Sequence, residues 1–127
     1  MDGSGSIGSS NFDLMKSFLS SLVSRLDINS GNTRVGLITY SSNVGSSFDL
    51  NDYSTVTSVQ SAILALNYPG GATNTGGALE YVRTTMLTPA AGDRVNVPNV
   101  IAVLTDGQSN DASYTQVYQF FSCHVLC

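Results

Sequence analysis

A chain of 127 residues, 42% hydrophobic and only 11% charged, has the size and apolar content of one domain with its own core, which excludes disorder driven by charge. A net charge of −4, with five scattered basic residues, excludes a nucleic-acid footprint and a polybasic lipid-binding segment. No apolar run is long enough to span a bilayer, and the two cysteines, Cys123 and Cys127, both near the end, make no disulfide framework.

The chain opens on Asp2-Gly3-Ser4-Gly5-Ser6. In an extended or tightly turning backbone, alternate side chains project the same way, so one carboxylate and two hydroxyls can converge on a point. The intervening glycines let the backbone bend. Ser9 and Ser10 are expected to cap a helix whose inward stripe is Met15, Phe18, Leu19, Leu22, Val23 and Leu26, with Lys16, Ser17, Ser20, Ser21 and Ser24 outward. Asn29-Ser30-Gly31-Asn32 stops it. Arg34 to Ser41 reads as a strand covered on both sides, Val35 and Leu37 facing one way, Ile38 and Tyr40 the other. Val44 to Leu50, more polar, reads as an antiparallel edge partner.

A second helix starting at Asp52 or Ser54 presents Val56, Val59, Ile63 and Leu66 inward and ends at Pro69-Gly70-Gly71. The polar loop Ala72–Gly77 leads into a third helix with Leu79, Val82 and Met86 as its buried stripe. After a loop over 88–97, the run Val100-Ile101-Ala102-Val103-Leu104 has the pattern of a parallel strand buried on both faces, ending at the turn Thr105-Asp106-Gly107. A last helix is expected near Asp111 or Ser113. The order predicts an α/β fold: a doubly wound, mostly parallel sheet with one antiparallel edge strand and helices on both faces. In such sheets ligands collect beyond the carboxyl ends of the strands, where Asp106 lies.

Four segments, in order, carry a resemblance: Asp2-Gly3-Ser4-Gly5-Ser6-Ile7-Gly8, Arg34-Val35-Gly36-Leu37-Ile38-Thr39-Tyr40-Ser41, Gly70-Gly71-Ala72-Thr73-Asn74-Thr75-Gly76, and Val103-Leu104-Thr105-Asp106-Gly107. Over residues 2 to about 116 the chain resembles the von Willebrand factor type A domain, also called the integrin inserted domain, and among its members most those of matrix proteins such as collagens and matrilins. The resemblance implies a metal-ion-dependent adhesion site. By position, Ser4, Ser6 and Thr73 would offer hydroxyl oxygens to a cation, and Asp2 and Asp106 would bind it directly or through water. Thr75 is the second choice to Thr73. Mg²⁺ is expected, with Mn²⁺ or Ca²⁺ as alternatives, since all suit oxygen ligands. The absence of thiolate or imidazole near these residues argues against zinc. The implied role is non-enzymatic: an extracellular adhesion module whose ion bridges to a Glu or Asp of a matrix or cell-surface protein.

The chain departs from the family at both ends. The first strand is missing apart from Met1, so the strands at 34–41 and 100–104 are expected to lose a shared neighbour. Residues 1–116 read as a partial type A domain and 117–127 as an atypical tail, a piece of a longer secreted protein with weak stability of its own. No signal peptide stands before Asp2, so read literally the chain would stay in the cytosol. Cys123, His124 and Cys127 lack the second pair of a zinc site. Gly70-Gly71 and Gly76-Gly77 lack the Lys of a phosphate loop. A Mg²⁺-dependent hydrolase or phosphoryl-transfer enzyme is the alternative function. It would need a base and a cation in the metal loops, and Lys16, Arg25, Arg34, Arg83 and Arg94 all fall outside them. An intracellular assembly factor of the same family is a further alternative.

Overall fold

The computed structural model describes residues 1–107; the expected last helix, the tail 117–127 and Cys123, His124 and Cys127 lie outside the described residues. Elements follow in the order α1 (Gly8–Val23), β1 (Leu37–Tyr40), β2 (Val44–Phe48), α2 (Val56–Leu64) and α3 (Thr75–Tyr81). A π-helical turn, Val82–Met86, extends α3, and a 3-10 turn, Pro89–Ala91, follows. No helix among them is long and apolar enough to cross a membrane.

β1 and β2 pair antiparallel, Leu37 opposite Phe48 and Tyr40 opposite Val44, with an irregularity at Thr39, whose hydroxyl donates to the Ser46 carbonyl. Alternation along β1 sends its side chains to two cores. Leu37 joins Phe12, Leu19, Val23, Ile28, Phe48, Val59, Ile63 and Leu66 under α1 and α2. Ile38 and Tyr40 join Ala78 and Met86 under α3. The expected two-sided covering of this strand is present. Phe12, Ile28, Val59 and Ile63 are sealed from solvent, each worth about 1.5–3 kcal/mol of apolar burial.

Met1–Gly3 lies parallel to β1. The Met1 amine donates to Ile38 O (2.9 Å), Tyr40 N–H to Met1 O (3.1 Å) and Gly3 N–H to Tyr40 O (2.7 Å). On its other side Asp2 N–H donates to Leu104 O (2.8 Å). These three residues are therefore the shared neighbour that was expected to be lost, at least for the ends of the strands that carry the site. Further back, the prediction for 100–104 holds only in part. Ala102 makes a single β-bridge, no continuous strand element forms there, and Val100 is 67% exposed. An apolar run becomes a buried strand only where neighbours pair with it, and among the described residues Met1–Gly3 reaches only its Leu104 end.

The helices form where expected but with different boundaries. α1 begins at Gly8, without a side-chain cap, rather than at Ser9 or Ser10. Its buried side centres on Phe12, Leu19 and Val23, leaving Phe18 56% exposed. Lys16, expected outward, lies along the α2 side and donates to the Leu66 carbonyl (3.2 Å). α2 is capped by Thr55, which exchanges hydrogen bonds with Ser58, rather than by Asp52 or Ser54. α3 is capped by Asn74, whose Oδ1 accepts from Gly77 N–H (2.8 Å).

Candidate metal centre

Asp2 is fixed first. The backbone pairing of Met1–Gly3 on both sides sets its position, and its side chain is 0% exposed. Oδ1 accepts the Ser4 N–H (2.8 Å) and Oδ2 accepts the Thr105 hydroxyl (2.7 Å). The ion pairs of the described residues, Lys16–Asp13 and Arg83–Glu80, lie elsewhere. A buried carboxylate with two donors and no cationic side chain leaves room for an ion to balance it.

The other side chains form a line leading from Asp2 to the surface. The Ser6 hydroxyl donates to Asp106 Oδ1 (3.1 Å), and the Ser4 and Ser6 hydroxyls are 3.2 Å apart. Because Ser6 spends its one proton on Asp106, Ser4 is the donor to Ser6. Ser4 is buried while Ser6 and Asp106 are exposed, so the line opens to solvent at the carboxylate end.

Thr73 is buried and arrives on a loop clamped from three directions. Gly5 N–H donates to Gly71 O (2.7 Å), Ala72 N–H to Ser42 Oγ (3.0 Å) and Asn74 N–H to Ser41 O (2.9 Å). Gly71 makes this approach at φ 104°, where an L side chain is strained, and a Cβ there would lie 2.9 Å from Ser42 Oγ. Thr75 opens α3, and its hydroxyl donates to Tyr40 Oη (3.3 Å) inside the second core. Four of the five expected ligands, Asp2, Ser4, Ser6 and Asp106, are thus joined by hydrogen bonds directly or through one residue. Thr73 sits two residues from a backbone bond to the same turn.

Three supporting residues escaped the sequence reading. Tyr68 donates to Ser4 O (3.0 Å) and stacks edge-on against Phe12, fastening the serine turn to the first core. The Tyr40 hydroxyl is held above its ordinary pKa, mainly by burial, against the pull of the Thr75 hydrogen bond and with a further push from the Asp2 charge. It is therefore a neutral phenol beside the site. Thr105 donates to Asp2, and only its position next to Asp106 could have signalled this. A wide depression of about 460 Å³ lined by Ile28, Arg34, Tyr53 and Thr55 lies beyond the Leu37 end of β1, away from these loops.

Among the described residues no three His, Cys, Asp or Glu side chains gather at one point. The centre is a two-carboxylate, hydroxyl-rich one. Comparison with known proteins gives it a context. The model of the von Willebrand factor type A domain matches residues 1–120. The chain belongs to the von Willebrand factor type A family. It is 42% identical over 113 residues to the mouse (Mus musculus) collagen alpha-4(VI) chain, covering 87% of this chain and 5% of that protein. It is 41% identical over 114 residues to human (Homo sapiens) matrilin-4, covering 87% and 18%. The chain thus spans a small fraction of the curated relatives it matches.

Among solved structures, proximal thread matrix protein 1 from the mussel byssus superposes with a TM-score of 0.86 over 99% of this chain and 35% of that one, at 23% identity, which shows the fold. A structure of the same mussel protein with a zinc-occupied MIDAS motif matches at 28% identity and a TM-score of 0.78, covering 87% and 30%. Zinc in that relative's motif removes the force of excluding zinc here for want of thiolate or imidazole.

Proposed function

We propose that this type A domain is a divalent-cation-dependent binding module that captures an acidic side chain of a protein partner. The observation that carries the reading is the Asp2 carboxylate: 0% exposed, without a cationic side chain among the described ion pairs, and joined through Ser4 and Ser6 to Asp106 at the surface. The hydroxyls of Ser4, Ser6 and Thr73 and the carboxylates of Asp2 and Asp106 are the five groups that would hold the ion. All are hard oxygen donors, and Mg²⁺ is the first choice, with Mn²⁺ or Ca²⁺ as substitutes. An ion held by five such groups keeps a position for one outside oxygen, which a partner's Glu or Asp can fill.

The chain's own residues prepare this. Tyr68 and the Gly5–Gly71 bond hold the serine turn against the Thr73 loop, so little ordering is left to do at binding. Asp106 and Ser6 stand at the solvent side, where a partner arrives. Lys16, Arg34, Arg83 and Arg94 bond to Leu66, Gly92, Glu80 and Gly31 respectively, away from the loops, which supports binding over phosphoryl transfer. The relatives named as collagens and matrilins support an extracellular matrix setting, with a matrix or cell-surface protein as partner. We further propose residues 1–116 as the family portion of the chain and 117–127 as a separate tail.

The test is binding of the domain to immobilised matrix proteins in Mg²⁺. Binding that disappears with chelator, with Asp2→Ala and with Thr73→Ala supports the ion bridge. Binding that persists through chelation overturns it.

A further inference from the structure

One hydroxyl touches both carboxylate-bearing segments. Thr105 Oγ1 donates to Asp2 Oδ2 at 2.7 Å. The same oxygen accepts the Gly107 N–H at 3.2 Å, closing the turn that carries Asp106. Its other neighbours are Gly107 O at 3.3 Å and the Tyr40 hydroxyl, both neutral and so weaker acceptors than the carboxylate, and the single proton belongs to Asp2. Asp2 comes from the start of the chain and Asp106 from a turn more than a hundred residues later. Besides the backbone bond from Asp2 N–H to Leu104 O and the Ser6–Asp106 bond, this hydroxyl is the tie between them.

We propose that Thr105 is a positioning residue for the cation site, locking the Asp2 carboxylate by donation and the Asp106 turn by acceptance. The inference rests on the cation-binding reading above and assigns Thr105 no contact with the ion. Two donors, Ser4 N–H on Oδ1 and Thr105 on Oδ2, fix the plane of the Asp2 carboxylate. Losing one frees that plane to rotate, and losing the Gly107 bond at the same time loosens the turn under Asp106. Partners that orient a metal's ligands without touching the metal are worth about 10–100-fold in affinity. Thr105 is solvent-exposed, so replacing it leaves both cores intact.

The test uses the whole 127-residue chain with Mn²⁺ as the probe, its free concentration read by electron paramagnetic resonance during titration. Thr105→Val removes donor and acceptor while keeping shape, and Thr105→Ser keeps both. The expected result is a Kd for Mn²⁺ weakened about 10–100-fold in Thr105→Val and within about threefold of the parent in Thr105→Ser. The metal-free Tm is expected to fall by a few degrees in Thr105→Val, where Asp2 Oδ2 loses its donor, and to hold in Thr105→Ser, with both variants keeping a cooperative unfolding transition above the titration temperature, which separates positioning from a general loss of structure. If Thr105→Val does not fold, Thr105→Ala is measured under the same thresholds. A parent chain that binds Mn²⁺ while the Val or Ala variant binds it equally well overturns the role of Thr105 alone. A folded parent chain with no saturable Mn²⁺ binding overturns the cation site, and this inference with it.

Discussion

Gly3 lies between two candidate ligands, Asp2 and Ser4, and there is no room for a side chain on it. A Cβ at this position would stand 2.5 Å from both Cδ and Cγ of Pro69 and 3.2 Å from a ring carbon of Phe12. Carbon atoms sit comfortably at about 3.5–4.0 Å, so Gly3→Ala demands a separation of roughly 1 Å. Neither side yields easily. Met1–Gly3 is bonded to Tyr40 and Leu104, and Pro69 is a rigid ring two residues before the Gly71 carbonyl that Gly5 uses. Overpacking of this kind costs about 1–3 kcal/mol. With a urea m-value of about 1–3 kcal/mol/M, the midpoint should fall by roughly 1 M. Pushing Pro69 away also drags the Thr73 loop from the serine turn, so Mn²⁺ affinity should fall in the same variant. Gly107→Ala is the control for stability, since no atom of the described residues lies within 4 Å of its Cβ position and its φ is not positive. The double variant Gly3→Ala with Pro69→Ala should recover part of the loss, because the clash is a pairwise term. A Gly3→Ala protein as stable as the parent, or a loss that Pro69→Ala leaves wholly unrelieved, would refute the argument.

Thr55→Ala removes the cap of α2 and its exchange with Ser58, and should lower stability in urea by about 0.5–2 kcal/mol without changing Mn²⁺ affinity. Thr73→Ala should abolish Mn²⁺ binding, whereas Thr75→Val, which loses the hydroxyl bonded to Tyr40, should keep it, as read by the same titration. Asp27 is held below the ordinary carboxylate range by the Ser30 hydroxyl first and the Asn32 side chain second. Its NMR titration should shift upward more in Ser30→Ala than in Asn32→Ala. Because this pKa is depressed on folding, the small stabilisation it brings is present above the unfolded value near 3.8 and is lost as pH falls through the folded value.

What the sequence made legible follows from how local each signal is. The two faces of β1 could be read because alternation is a property of the strand itself, and both faces found a core. The inner side of α2 was equally readable from Val59 and Ile63, with Leu66 buried just beyond its end. In α1 the spacing of three and four admits two overlapping stripes, one through Phe12, Leu19 and Val23, the other through Phe18 and Leu22. Only the position of α2 and β1 chooses between them. The run at 100–104 partly misled for a related reason: apolar residues record a capacity for burial, and neighbouring backbone decides whether a strand forms. At the site, the residues of the Asp-x-Ser-x-Ser turn and Asp106 declare themselves by chemistry. Tyr40, Tyr68 and Thr105 do not, because a core tyrosine, a loop tyrosine and a turn threonine have many commoner uses than supporting a carboxylate or a turn.

The central claim is that distant loops meet around one ion. It is tested most directly by anomalous diffraction from crystals of this domain soaked in Mn²⁺. The account predicts a single strong anomalous peak among Ser4 Oγ, Ser6 Oγ and Thr73 Oγ1, close to the Asp106 carboxylate. A peak elsewhere on the surface, or none at saturating Mn²⁺, would contradict it.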